Sequence, residues 1–294
     1  MSTTAVRTLV STSAKSTGRG RAAYWAVFAL VFLAFTAAFV FPLYWAVTGA
    51  MKSSAELVRT PPTVVPEEWH PETYREAWTG LDLWLYFRNT VVVVVGAWLV
   101  QLMVAVPAAY ALSKLRPKFG KLVLGLMLAT IMLPAAALLV PTYLTVVDVP
   151  IVHVNLLNNP AAVWLPAAAN AFNIYVLKRF FDQIADELVD AARIDGAGPL
   201  RTLWYVVLPV SRPVLAVVSI FAVVAAWKDF IWPLLVFPDP GEQTLSVALQ
   251  RVAPDVPTNY LLAGLVLAGL PMVIAFVVFQ RQILAGLTAG SLKG

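Results

Sequence analysis

Long apolar runs separated by short polar punctuation are the dominant pattern of this chain. Six stretches reach or exceed the roughly 20 residues needed to cross about 30 Å of hydrocarbon as a helix. They fall near 23–49, 88–112, 121–145, 161–180, 211–237 and 260–284. Pro166, Asn170 and Asn173 interrupt the fourth run, which suits a span buried among its neighbours better than one facing lipid. The pattern predicts an all-α polytopic membrane protein with six transmembrane helices. Its six-span body covers 23–285, with a disordered tail at 1–22 and a short tail at 286–294.

Composition agrees with lipid as the main solvent. Of the 294 residues, 60% are hydrophobic and 13% charged, and the mean hydropathy is +0.77. A soluble domain carries about 25% charged residues. There is no cysteine, which removes disulfides and thiolate chemistry. His70 and His153 stand far apart in loop-like sequence and suggest no metal site.

The distribution of the net +5 charge predicts orientation. Arg7, Lys15, Arg19 and Arg21 precede the first run, and Lys114, Arg116, Lys118 and Lys121 crowd the second–third loop. Lys178, Arg179, Arg193, Arg201 and Arg212 populate the fourth–fifth loop and its borders. The alternate loops hold most of the acids, including Glu56, Glu67, Glu68, Asp239 and Asp255. The positive-inside rule then puts both termini and the 181–210 loop in the cytoplasm. The outer segments are expected to be extended over the opposite face, with one short amphipathic helix around Leu245–Val252.

One charged stretch breaks the greasy pattern: "DAARIDGAGPLRTLWYVVLP", Asp190–Pro209. Ile184, Leu188, Ala191 and Ala192 fall at i, i+4, i+7 and i+8, one stripe of a short helix. Asp186 is placed to cap its start, and Asp186 with Glu187 complements the helix dipole. Gly196, inside the Asp195-Gly196-Ala197 turn, suits the left-handed residue that ends a helix. Pro199 opens a second helix at its first turn, and Pro209 marks where it stops. The result is a helix–turn–helix between the fourth and fifth spans. It fits a docking element for another protein, and equally a connector lying flat on the membrane. Glu187 and Asp190 lack a nucleophile or metal ligand beside them, so an enzyme site is disfavoured.

"DAARIDGA", eight residues, then "VVLP" resembles the EAA loop of ABC-importer permeases, with Asp190 where that pattern has Glu. "FRNT", "AAYALSKLR", "MLPAAALLVPTYL", "WKDFIWPLL" and the final "GLTAGSLKG" extend the resemblance to carbohydrate permeases of the maltose-type second-subunit family. That resemblance implies one half of a translocation pathway in a bacterial inner membrane. It implies a homologous permease subunit as partner, two ATPase subunits that hold ATP and Mg, and an extracytoplasmic sugar-binding protein. This chain itself has no G-x-x-x-x-G-K-[ST] phosphate loop. On this reading no cofactor, catalytic residue or nucleic-acid partner belongs to the chain. The resemblance makes Ile184, Glu187, Leu188, Asp190, Ala191, Ala192, Asp195, Gly196, Ala197, Leu208 and Pro209 the ATPase-coupling set. The terminal "GSLKG" is either a further ATPase contact or a frayed end.

Within the spans, Lys228, Asp229, Asn170 and Asn173 are candidate pathway residues, because intramembrane polar groups usually face a cavity. Lys228 and Asp229 lie about 100° apart on a helix and cannot pair ideally with each other; both facing water near the outer interface is the rival placement. Pro134 and Pro141 suit kinks in the third span. Most of the ten tryptophans are expected in interfacial belts. A self-sufficient secondary transporter is the alternative function, and it calls for broken spans in two related halves. No internal repeat is visible.

Overall fold

The computed structural model describes residues 18–289, with side chains through Gln280. The expected N-terminal tail lies largely outside this range, and so does the whole of "GSLKG", 290–294. Helix α1, Gly18–Gly49, already includes the last residues assigned to that tail. Helix α14, Thr258–Ala289, likewise runs into the expected C-terminal tail. Among the described residues the only β feature is an isolated bridge between Val149 and Val154.

Two short helices, α2 (Ser54–Leu57) and α3 (Glu72–Gly80), follow α1. The segment expected to be extended is therefore folded. Buried Lys52 donates to the Thr63 carbonyl and lies 4.5 Å from the Trp45 ring. Buried Glu56 accepts from the Thr63 hydroxyl and from the backbone N–H of Glu67. His70 sits against Glu72, and His153 against Asp148, each as a loop residue.

Helix α4, Leu83–Leu115, is the hub, and its last five residues form a π turn. The third apolar run becomes α5 (Gly120–Ile131) and α6 (Ala135–Val147), bent by 108° at Pro134. The fourth becomes α7 (Ala161–Ala168) and α8 (Ala171–Phe181), separated because the Asn170 side chain accepts from Asn173 N–H and starts a new helix. Next come α9 (Asp186–Ile194) and α10 (Pro199–Val210), with a π turn at Leu203–Val207. The fifth run splits into α11 (Arg212–Lys228) and α12 (Ile231–Val236). Helix α13 occupies Leu245–Val252, as the pattern predicts.

Continuous spans are thus fewer than the apolar runs suggest. Three helices are individually long and apolar enough to cross a membrane, α1, α4 and α14. Two bent pairs, α5 with α6 and α10 with α11, raise the total to as many as five among the described residues. Hydropathy records composition and is blind to a cap or proline that turns the chain in mid-run.

Helix α4 packs on α7, α8 and α11. One cluster joins Ala105, Ala109, Ile174, Leu177, Phe181, Val207 and Val218. Another joins Val93, Ala162, Val163, Trp232 and Val236. Such contacts matter because helix association in lipid rests on close packing and interhelical hydrogen bonds. Gly96 lets the Trp164 ring lie directly on α4; a Cβ there would meet the indole at 2.1 Å. Three tryptophans depart from the expected belt role and bond helices together. Trp164 Nε1 donates to Val93 O at 3.0 Å, Trp232 Nε1 to Ala162 O at 3.0 Å, and Trp227 Nε1 to Ala268 O at 3.2 Å.

Candidate coupling element and intramembrane cavity

Helix α9 ends as its sequence predicts. Gly196 has φ +80°, its N–H donates to Arg193 O, and Ala197 N–H donates to Ala192 O. This pair of bonds is a Schellman closure, which needs a residue free to adopt left-handed backbone. Pro199 occupies the first turn of α10. Pro209 does not stop that helix; it runs on to Val210 before the 85° bend into α11.

The apolar stripe divides between two surroundings. Ile184 is buried in the chain's own core with Phe181 and Leu203. Leu188 and Ala191 are exposed, and Ala192 and Ala197 are half-buried. Val189 supplies the inward face of α9. The exposed apolar surface continues through Ile194 and Leu200 to Trp204 and Tyr205, the last two unmarked by the sequence pattern because a π turn shifts the helical period. Asp190 is exposed and accepts from Arg193 Nη1 at 2.9 Å, while Glu187 and Asp195 are exposed near it. Leu208 is half-buried and Pro209 exposed.

Asp186 does not cap α9, whose N-cap position is Ala185 without a side-chain bond. Its carboxylate is taken by α4 instead. Lys114 Nζ donates to Asp186 Oδ1 at 2.6 Å and to Ile184 O at 2.6 Å, and Arg116 Nη2 donates to Asp186 Oδ2 at 3.0 Å. The Lys114 side chain is only 2% exposed, so its bond to the Ile184 carbonyl forms where water competes poorly, whereas Asp186 is exposed and its bond to Arg116 lies at the surface. The hydrogen bond and charge of Lys114, with Arg116 adding to them, hold Asp186 below the usual carboxylate range. Beside it, Ser113 Oγ and Lys178 Nζ donate to Asp182, each at 2.7 Å. Burial pushes Asp182 up, but its donors outweigh burial and leave it below its ordinary value. Lys114 and Arg116 carry only a topological meaning in the charge pattern; nothing local separates a buried lysine from its solvated neighbours.

Farther along α4, the breaks in the helices open onto cavities. One of about 270 Å³ is lined by Gln101, Asn170, Asn173 and Asp229 among small apolar residues such as Ala97 and Ala222. A second, of about 670 Å³, shares Val163, Ala167, Asn170 and Asp229 and extends to Leu139 and Thr142 of α6. Three of the four predicted pathway residues therefore converge. Lys228 does not join them; it is exposed at the end of α11. Gln101 was missed, since one amide in an apolar run carries no distinguishing spacing. It and Asn173 are buried, and their carboxamides have no hydrogen-bond partner within the described residues. Asp229 has no ion-pair partner there; its carboxyl meets the backbone N–H groups of Phe230 and, at 3.5 Å, of Trp232.

A bundle of broken apolar helices around a polar cavity, with a charged helix–turn–helix at one end, defines a membrane permease. The chain matches the family described as binding-protein-dependent transport system inner membrane component over residues 101–287, and it belongs to that family. The match includes the cavity residues, Lys114 and the whole of α9 and α10.

Relatives agree across most of the length. The sulfoquinovosyl glycerol transport system permease protein of Agrobacterium fabrum is 33% identical, covering 87% of this chain and 89% of the relative. The sn-glycerol-3-phosphate transport system permease protein of Rhizobium meliloti is 30% identical over 84% of this chain and 90% of its own. The diacetylchitobiose uptake system permease protein of Streptomyces coelicolor is 29% identical over 86% and 84%. In fold, the chain is similar to a solved bacterial ABC transporter involved in import of the acidic polysaccharide alginate, with a TM-score of 0.80 at 23% identity. That likeness covers 90% of this chain and 98% of the other. The chain is thus the permease component of an ABC importer, a multi-pass inner-membrane transport subunit and not an enzyme. An ATPase and a binding protein are its partners by family. This excludes a self-sufficient secondary transporter.

Proposed function

We propose that this subunit forms half of the pathway for a carbohydrate and moves it by mechanical coupling to two ATPase subunits, which hold the ATP and Mg. The other half is a homologous permease subunit. The six apolar runs act as six spans, several of them broken, with both termini and α9 on the cytoplasmic side. The exposed Leu188–Ala191 face, with Asp190 and Glu187 beside it, docks on an ATPase, and the Gly196 turn and Leu208-Pro209 carry its motion toward α11.

The observation that carries this reading is that α4 holds both ends of the machine. Lys114 grips the start of α9, and Gln101, thirteen positions earlier, lines the cavity. At 1.5 Å per residue the two lie about 20 Å apart on one helix. A displacement of α9 reaches the cavity along a rigid rod, the kind of motion that gates alternating access. The cavity offers carboxamides and a carboxylate with few internal partners, which suits a cargo rich in hydroxyls. The relatives named for diacetylchitobiose and sulfoquinovosyl glycerol support the carbohydrate class.

The test is ATP hydrolysis by the reconstituted transporter, stimulated by its loaded binding protein, comparing wild type with Asp190→Arg. Loss of stimulation or of ATPase co-purification, with the membrane fold intact, supports coupling through α9. Unchanged assembly and stimulation would favour a connector lying on the membrane. Asp229→Leu should lower transport while leaving ATPase co-purification intact.

A further inference from the structure

At the end of α4 that meets α9, a second kind of cavity opens, of about 500 Å³. Arg116, Lys118, Lys121 and Lys178 line it, with Asp182 as the one acid. These cations come from the end of α4, the loop after it, the start of α5 and α8. The loop is held rather than splayed: Arg116 adopts left-handed backbone at φ 49°, and Gly120 N–H donates to Pro117 O at 2.8 Å.

Within the protein the charges are only partly answered. Asp182 takes Lys178, and Asp186 takes one arm of Arg116. Lys118 and Lys121 have no ion-pair or hydrogen-bond partner among the described residues, so two ammonium groups converge on the cavity uncompensated. Leu112 and Leu124 form its apolar side, and the half-buried Leu128, one turn beyond Leu124 on the same face of α5, carries that side further along the helix. A basic concavity opening onto an apolar helix face at a membrane boundary is the arrangement that holds an anionic headgroup.

We propose that this cavity binds a phosphate group, supplied either by an anionic phospholipid or by a free phosphate ion. The bound anion offsets the repulsion among the cations and braces the α4–α5 loop, one turn from the Lys114 tie to α9. The site is separate from the cargo cavity and does not depend on which solute is carried.

The test uses the complete transporter, equilibrated in detergent with phosphatidylglycerol or with phosphatidylcholine of the same acyl chains and read by native mass spectrometry. A parallel arm measures binding of radiolabelled inorganic phosphate by equilibrium dialysis, taken as the difference between wild type and variant. Preferential retention of phosphatidylglycerol is expected, weakened about twenty-fold in the K118Q/K121Q double variant. K118R/K121R should restore it, and R179Q, outside the cavity, should match wild type. If inorganic phosphate shows the same lysine dependence and the lipids do not, the ligand is the free ion. Equal retention of both lipids with no lysine-dependent phosphate binding overturns the proposal. So does lipid retention indifferent to K118Q/K121Q, or a cavity closed to both probes by the docked ATPases. Both lysines are exposed, and co-purification of the ATPases checks that the variants assemble.

Discussion

Lys114 Nζ stands 2.6 Å from Asp186 Oδ1, so the last turn of α4 grips the first residue of α9 from a site almost closed to water. The same ammonium also holds the Ile184 carbonyl. Two bonds from one side chain thus tie the start of α9, alongside Arg116 on the same carboxylate and the buried Val189.

Lys114→Met should leave the buried Ile184 carbonyl unpaired, at a cost of about 1–3 kcal/mol. The more telling readout is the ratio of stimulated to basal ATP hydrolysis in the reconstituted transporter, expected to fall severalfold. Lys114→Arg should recover part of it. A lower melting temperature with an unchanged ratio would mean that Lys114 serves folding alone.

The depressed values of Asp186 and Asp182 fix the sign of an acid effect. A carboxyl lowered in the folded state stabilises it fully above its ordinary value of about 4, and that contribution disappears as pH falls through the lower folded value. Between pH 8 and 6 these two groups should change nothing. The thermal stability of the detergent-solubilised chain should fall as pH drops below about 4, less steeply in Asp186→Asn. A wild-type and variant pair with parallel acid limbs would exclude the Lys114–Asp186 tie as its source.

At Gly96 a side chain has nowhere to go. Gly96→Val drives its Cβ into the Trp164 ring and should cost about 1–3 kcal/mol or more, the range for overpacking. Gly125, in α5, has open space where a Cβ would sit, so Gly125→Ala should be neutral or gain up to about 1 kcal/mol. Melting of the two variants in one detergent compares them directly.

Asn89 and Thr90 fasten the segment before α13 onto α4. Asn89 Nδ2 donates to Gly241 O at 2.8 Å and Gln243 O at 3.2 Å, and Thr90 Oγ1 accepts from Leu245 N–H at 2.8 Å. Arg251 adds bonds to Gln243 and Tyr86. Asn89→Leu should loosen residues 238–244 and raise their amide exchange severalfold, with little change near α9. Equal protection in both proteins would mean that Arg251 and Thr90 suffice.

What the sequence revealed and what it hid divide along the range of the interactions. Gly196, Pro199 and α13 were legible because each obeys a local rule of backbone or period. Asp229, Asn170 and Asn173 stood out because polar groups are rare in such runs, and the fold brings them to one cavity. Asp186 looked like a cap because only sequence neighbours were in view; its partners lie about seventy positions away in the chain. Ile184 fitted the exposed stripe by spacing, yet it precedes α9 and turns inward with Phe181. The breaks at Pro134, Asn170 and Asp229 disappear in an average over hydropathy, although each residue is visible on its own.

Of the two π turns, Ala111–Leu115 carries Lys114 itself and Leu203–Val207 follows α9 in the chain. Each closes its bonds one residue later than an α turn does. One residue in an α-helix is about 100° of rotation, so each turn is a stored screw step in an otherwise rigid shaft. Deleting a single residue from either should relax it to α and re-aim everything beyond it, at the expense of the contacts that Ser113 and Lys114, or Leu203 and Val207, make there. Length differences of one residue between related chains at these places would then read as changes in the angle of the shaft.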